Sequence, residues 1–132
     1  MPKRIAVVNE DTAYLRMMET FLQLEGYETF AWREGSTAYE VIKREQPDLV
    51  ILDIRLEHPD AGWVVLDLLR LDPETADLPV IVASGDLRFL REKEERLRAQ
   101  RCQVLPKPFG LEELLRKIQE VIGPPERPPG AK

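Results

Sequence analysis

Four short stretches of this chain carry side chains that could do chemistry together: Asn9-Glu10-Asp11, Asp53, Ser84-Gly85, and Lys107 between Pro106 and Pro108. Each closes or follows a run of apolar residues that reads as a strand. Two or three carboxylates brought close together repel one another, and a cation between them removes that cost. An oxygen-only donor set, with no histidine or cysteine cluster, suits a hard ion such as Mg²⁺. A lysine and a hydroxyl beside the ion suit an anionic oxygen group, most simply a phosphoryl.

These residues need a scaffold that brings them to one place. Short β-branched runs alternate with longer amphipathic segments. Ile5 to Val8 reads as a strand, and Thr12 to Glu25 as a helix with Leu15, Met18, Phe21 and Leu22 on one face, ended by Gly26. Glu28 to Trp32 is a second strand. Gly35-Ser36 offers an N-cap for a helix with Ala38, Val41 and Ile42 inward, which Pro47 bars from continuing. Leu49 to Ile54 is apolar without alternation except at Asp53, the pattern of a strand buried on both faces of a parallel sheet. A helix from about Trp63 to Arg70, a strand Val80 to Ala83, a helix Leu87 to Gln100, a short strand Val104-Leu105 and a helix Leu111 to Ile122 complete the alternation. The Leu87 to Gln100 helix has few apolar positions and an unbroken charge run, Arg91 to Arg96, so loose anchoring is expected. The tail Gly123 to Lys132 holds four prolines and is expected to be disordered.

Five strands alternating with five helices predict an α/β domain with a parallel sheet and right-handed crossovers. In open sheets of this kind, ligands sit outside the carboxyl ends of the strands, where the polar stretches above converge.

With 132 residues, the chain has the size of one domain. Hydrophobic residues make up 43% and charged residues 33%, enough for both a core and a solvated surface. A formal charge of -5 disfavours nucleic acid as a direct partner, because phosphate binding needs a positive surface. The single cysteine, Cys102, excludes an internal disulfide and suits a reducing compartment. The apolar run before Asn9 is too short for a signal peptide, and no run approaches a membrane span, so a cytoplasmic location without membrane contact is expected. Eleven prolines, an excess of arginine over lysine and a lone asparagine resemble the usage of proteins from hot environments.

On these residues the sequence resembles the receiver domain of bacterial response regulators, over roughly residues 3–122. The resemblance rests on Ile5-Ala6-Val7-Val8-Asn9-Glu10-Asp11, Pro47-Asp48-Leu49-Val50-Ile51-Leu52-Asp53, Pro79-Val80-Ile81-Val82-Ala83-Ser84-Gly85, Lys107-Pro108-Phe109 and Leu111-Glu112-Glu113-Leu114-Leu115, in that order and separation. It implies a doubly wound, flavodoxin-like (CheY-like) five-stranded parallel sheet of order 2-1-3-4-5. It implies that Asp53 accepts a phosphoryl group from a histidine kinase or phosphotransfer protein, and that the acyl phosphate later hydrolyses. Mg²⁺ would be held by Asp53, Glu10 and the backbone carbonyl of Arg55, with Asn9 contributing weakly or through a water. Lys107 would neutralise the phosphoryl charge, Ser84 beside Gly85 would hydrogen-bond it, and a cis peptide before Pro108 would aim the lysine. A phosphoacceptor of this kind is a signalling domain rather than an enzyme, and passes its signal to an effector protein or a second copy of the chain. With no output domain after Ile122, transcriptional activity would have to come from another protein.

Several positions depart from the family. Asn9 and Glu10 stand where it usually has two acids, so one charge is lost and Glu10 must fold back to reach the ion. Weaker Mg²⁺ binding and slower phosphorylation are expected. Asp11 points elsewhere at this register. Val104 replaces the aromatic residue that moves on activation, so a switch would run through Ser84 and the charged fourth helix, which borders the face expected to meet partners. Gly85 leaves space where alanine is common.

Plain readings stand beside these. Lys107 could pair with Glu10 as a surface lysine, Ser84 could cap a turn, and His58, in a loop one residue longer than the family's commonest form, could be merely solvated. Trp32 and Trp63 read as partly exposed, and Cys102 as a small buried residue. The competing functional reading is a pseudo-receiver, an interaction module that signals without phosphate. A flavin site is disfavoured because Asn9-Glu10-Asp11 would repel the flavin phosphate.

Overall fold

The computed structural model describes residues 2–53, 61–85, 87–107 and 110–125. Strands β1 (Arg4–Val8), β2 (Glu28–Trp32), β3 (Leu49–Asp53), β4 (Val80–Ser84) and β5 (Gln103–Pro106) form one parallel sheet in the order β2-β1-β3-β4-β5. Between and after them run α1 (Thr12–Leu24), α2 (Gly35–Glu45), α3 (Ala61–Leu71), α4 (Leu87–Glu92), α5 (Glu94–Ala99) and α6 (Leu111–Ile122). The expected sheet is therefore present in its expected order.

Side chains alternate across each strand, and in the central strands β1, β3 and β4 both faces are dry. Ile5, Val7, Leu49, Ile51 and Ile81 meet Leu15, Met18 and Leu22 of α1 and Leu114 and Ile118 of α6. Ala6, Val8, Val50, Leu52, Val80 and Val82 meet Ala38 and Ile42 of α2 and Leu66 and Leu69 of α3. This two-sided burial explains why Leu49 to Leu52 shows no polar alternation.

Helix ends follow local chemistry. The Asp11 carboxylate accepts from the amides of Ala13 and Tyr14 and so caps α1. At its far end Gly26, at φ 98°, donates to the Gln23 carbonyl and Tyr27 to that of Leu22, a Schellman closure that seats Tyr27 in the core. The N-cap of α2 is Glu34 rather than Gly35-Ser36, and its side chain makes no capping bond. Thr37, beyond that cap, instead accepts from the Trp32 indole at 2.9 Å. Helices α2 and α3 are joined through Asp72, which pairs with Lys43 at 2.8 Å and accepts from the Tyr39 hydroxyl. Those two donors, with the Glu74 amide, hold the Asp72 carboxyl down to about 2.

Two expectations fail around α4 and α5, one in the helices themselves and one in the α3 tryptophan they cover. The single helix Leu87 to Gln100 is two helices, broken at Lys93 (φ -103°, ψ 13°). The apolar anchors explain the break: Phe89 and Leu90 hold one half and Leu97 the other, while Arg91 to Glu95 between them offer no apolar side chain to the core. Glu94 and Glu95 then fall in the first turn of α5, where the helix dipole favours acids. Trp63 is 5% exposed, not half-open. It is enclosed by Phe89, at 6.0 Å between ring centroids, and by the Arg96 guanidinium, 4.0 Å from its ring centroid. Trp32 is half-buried as expected, whereas Cys102, expected to be buried, is half-buried and lies just ahead of β5. The loop expectations at Arg55 and His58, the cis peptide at Pro108, and tail residues 126–132 lie outside the described residues.

Candidate functional site at the strand ends

The register of the sheet decides which polar residues meet. Val8 pairs with Leu52, so Asn9 lies beside Asp53. Asp53 pairs with Ala83, and Ser84 with Pro106, so Ser84 and Lys107 follow at the next two strand ends. The Lys107 amide donates to the Ser84 carbonyl at 2.7 Å, which continues the ladder one residue beyond β5.

Side-chain geometry completes the cluster. The Lys107 ammonium stands 3.7 Å from Asp53 Oδ2. It pairs with Asp53, not with Glu10 as the surface reading had it. Ser84 is buried, at 3% exposure, on the strand next to Asp53. A Cβ added at Gly85 would meet Lys107 Cβ at 3.8 Å, an ordinary contact, so the site tolerates alanine there without rearrangement.

Asn9 is 4% exposed, and both ends of its amide are committed. Its Oδ1 accepts from the Asp11 amide at 2.9 Å, which fixes the amide's orientation, and its Nδ2 donates to Asp53 Oδ2 at 3.3 Å. The face turned toward Asp53 is thus a donor, not a ligand oxygen. Glu10 is exposed, and its carbonyl accepts from Arg33 Nε at 3.3 Å. Asp11 is spent on capping α1, as its register suggested.

Tyr14 belongs to this site and escaped the sequence reading. It lies on the first turn of α1, three residues after the capping Asp11, and its ring centroid is 4.7 Å from the Lys107 ammonium. Burial, and then the negative charge of Asp53, push its phenol up to about 12, so the ring is neutral at ordinary pH. The available signal was its position: a first-turn residue after β1 overlooks the strand ends. Farther out, Val104 is half-buried and lines a groove of about 440 Å³ with Leu90, Leu97, Cys102 and Pro106.

A five-stranded parallel sheet of this order, with a strand-end aspartate facing a lysine, defines the class of signalling receivers. The response regulator receiver domain profile matches residues 5–119. This chain belongs to that family. It is 27% identical over 124 residues to the polar-differentiation response regulator DivK of Brucella anthropi, covering 93% of this chain and 98% of DivK. It is 34% identical over 122 residues to the response regulator MprA of Mycolicibacterium vanbaalenii, covering 92% of this chain but 51% of MprA, so it spans about half of that longer regulator. In fold it resembles the receiver domain of the Pseudomonas aeruginosa sensor kinase PA1611, solved with a magnesium ion in its active-site cleft. That match has a TM-score of 0.80 at 24% identity and covers 93% of this chain and 99% of the other. The family is a phosphoacceptor signalling family of two-component systems, not one of conventional enzymes, and its members engage histidine kinases, phosphotransfer proteins and effectors. Among the described residues, no helix is long and apolar enough to cross a membrane.

Proposed function

We propose that residues 3–122 form a cytoplasmic receiver that accepts a phosphoryl group on Asp53 from a histidine kinase or phosphotransfer protein and signals through the face built by α4, α5, β5 and α6. The reading is carried by one observation: a carboxylate at the end of the central strand with a lysine ammonium 3.7 Å away. Asp53 is the nucleophile, and one of its oxygens attacks the phosphorus of the donor while the donor's leaving group departs. Lys107 offsets the charge that builds on the phosphoryl oxygens. Ser84, buried one strand over, donates its hydroxyl to a phosphoryl oxygen once the group is in place, drawing the β4–α4 connection inward.

The donor chemistry supports a hard divalent cation, with fewer charges than the family's usual set. Asp53 and Glu10 follow neighbouring strands and supply carboxylate oxygens, whereas Asn9 turns its NH₂ toward Asp53. Among the described residues, no three His, Cys, Asp or Glu side chains cluster as a metal site. Glu10 and Asp53 would hold Mg²⁺ together with the carbonyl of Arg55, and Asn9 through a water at most. Once bound, the ion supplies charge neutralisation between the carboxylates and the incoming phosphoryl. Its affinity is expected to be low.

The same Asn9 bond favours a second reading, an interaction module whose Asp53 is satisfied without metal or phosphate. Incubation with a small-molecule phosphodonor and Mg²⁺, followed by intact mass, separates the two. A receiver gains one phosphoryl, and the Asp53→Asn variant gains none. A wild-type chain that stays unmodified, with no calorimetric Mg²⁺ binding, establishes the module instead.

A further inference from the structure

We infer that Tyr14 is a positioning residue that seats the Lys107 ammonium over Asp53, with its ring supplying part of the negative potential that a second aspartate would otherwise provide at position 9. This rests on the phosphoacceptor reading for its consequence, but not for its geometry.

Lys107 projects from the end of an edge strand whose other residues are largely exposed or half-exposed, with only Leu105 buried. Backbone hydrogen bonding fixes its Cα beside Ser84, but not the four-carbon stem beyond it. Among the described residues, two groups meet the ammonium. Asp53 is 3.7 Å away, longer than a charge-assisted hydrogen bond, and the Tyr14 ring centroid lies 4.7 Å away. An aromatic face at that distance attracts a cation through its quadrupole, more strongly where water is partly excluded, and both Lys107 and Tyr14 are half-buried.

The need for a second seat follows from position 9. A carboxylate there would add a full negative charge next to Asp53, whereas Asn9 brings none and places an N–H on the Asp53 oxygen that faces Lys107. The ammonium shares Oδ2 with that donor and stands 3.7 Å from this oxygen. Tyr14 is rigidly placed to compensate, because its amide is held by the Asp11 cap and its backbone lies in the first turn of α1. Leucine there would keep the helix and the apolar contact but lose the quadrupole, and phenylalanine would keep both.

The test reads Lys107 directly. The proton resonances of its ε-methylene, assigned with Lys107→Gln, should be shifted upfield by the ring in wild type and in Tyr14→Phe, and should return to ordinary lysine values in Tyr14→Leu. Phosphorylation of Asp53 by a small-molecule donor, followed by intact mass, should slow roughly three- to tenfold in Tyr14→Leu and stay within about twofold in Tyr14→Phe. Equal ε-methylene shifts in wild type and Tyr14→Leu overturn the proposal. Equal rates in wild type and Tyr14→Leu overturn its catalytic consequence. A wild-type chain that takes no phosphoryl overturns the phosphoacceptor reading, while the resonance still decides whether Tyr14 seats the ammonium.

Discussion

Strands β3 and β5 flank the same strand, β4, yet they live in different environments. Leu49 to Leu52 of β3 are all buried, with helices on both faces, whereas in β5 only Leu105 is. The helices match their strands. On the β3 side, α3 presses Val65, Leu66 and Leu69 into the core, and Arg70 pins its end by donating to the carbonyls of Leu78 and Gln100. On the β5 side, α4 and α5 rest on Leu90 and Leu97 with a charged stretch between them. The phosphoacceptor candidate thus stands on the rigid half and its lysine on the looser one.

The division can be broken most directly by mutation of the core. Leu52→Ala should cost about 3–5 kcal/mol, because packing on both faces of β3 leaves no element free to collapse into the cavity. Val104→Ala, beside an open groove, should cost about 1 kcal/mol or less. Urea unfolding of the two variants measures the gap, and equal losses would abolish the distinction. The next largest contrast should lie in hydrogen exchange. Amides of β3 and β4 should exchange near the global unfolding limit, and those of Arg88 to Arg101 through local openings about 2–3 kcal/mol easier. Uniform protection would remove α4 and α5 as the switch element.

The smallest effect concerns two left-handed residues, one ahead of each strand. Gln46 (φ 48°) precedes β3 and Arg101 (φ 59°) precedes β5, and neither is glycine. Gln46→Gly should raise stability by about 0.5–1 kcal/mol by relieving the steric cost of that conformation. Arg101→Gly should gain less, since the guanidinium donates to the Ala76 carbonyl at 2.7 Å and pairs with Asp77. Thermal melts of the pair check both signs.

Much of this was legible in the sequence. Periodicity placed all five strands to within a residue or two, because each strand has its own apolar run and turn residues between runs. The strand-end residues Asn9, Asp53, Ser84 and Lys107 could be named because parallel topology sends every such end to one edge. The break at Lys93 was less visible. Its charge run predicted weak anchoring, but helix propensity alone gives no reason to stop. Trp63 misled because its burial is completed by Arg96 and Phe89, which are distant in sequence.

The sequence by itself determined the alternation of strands and helices, a parallel sheet and the edge at which chemistry could occur, since these follow from local apolar patterns and the handedness of crossovers, while the strand order was implied by the family resemblance. Only the tertiary structure decided how the polar groups at that edge are used. Asn9 turns its N–H toward Asp53 because its oxygen is taken by the Asp11 amide, and Lys107 stands between Asp53 and the Tyr14 ring. The physical reason is that hydrogen-bond direction and cation–π contact depend on side-chain orientation across strands, at separations that no local pattern of residue types encodes.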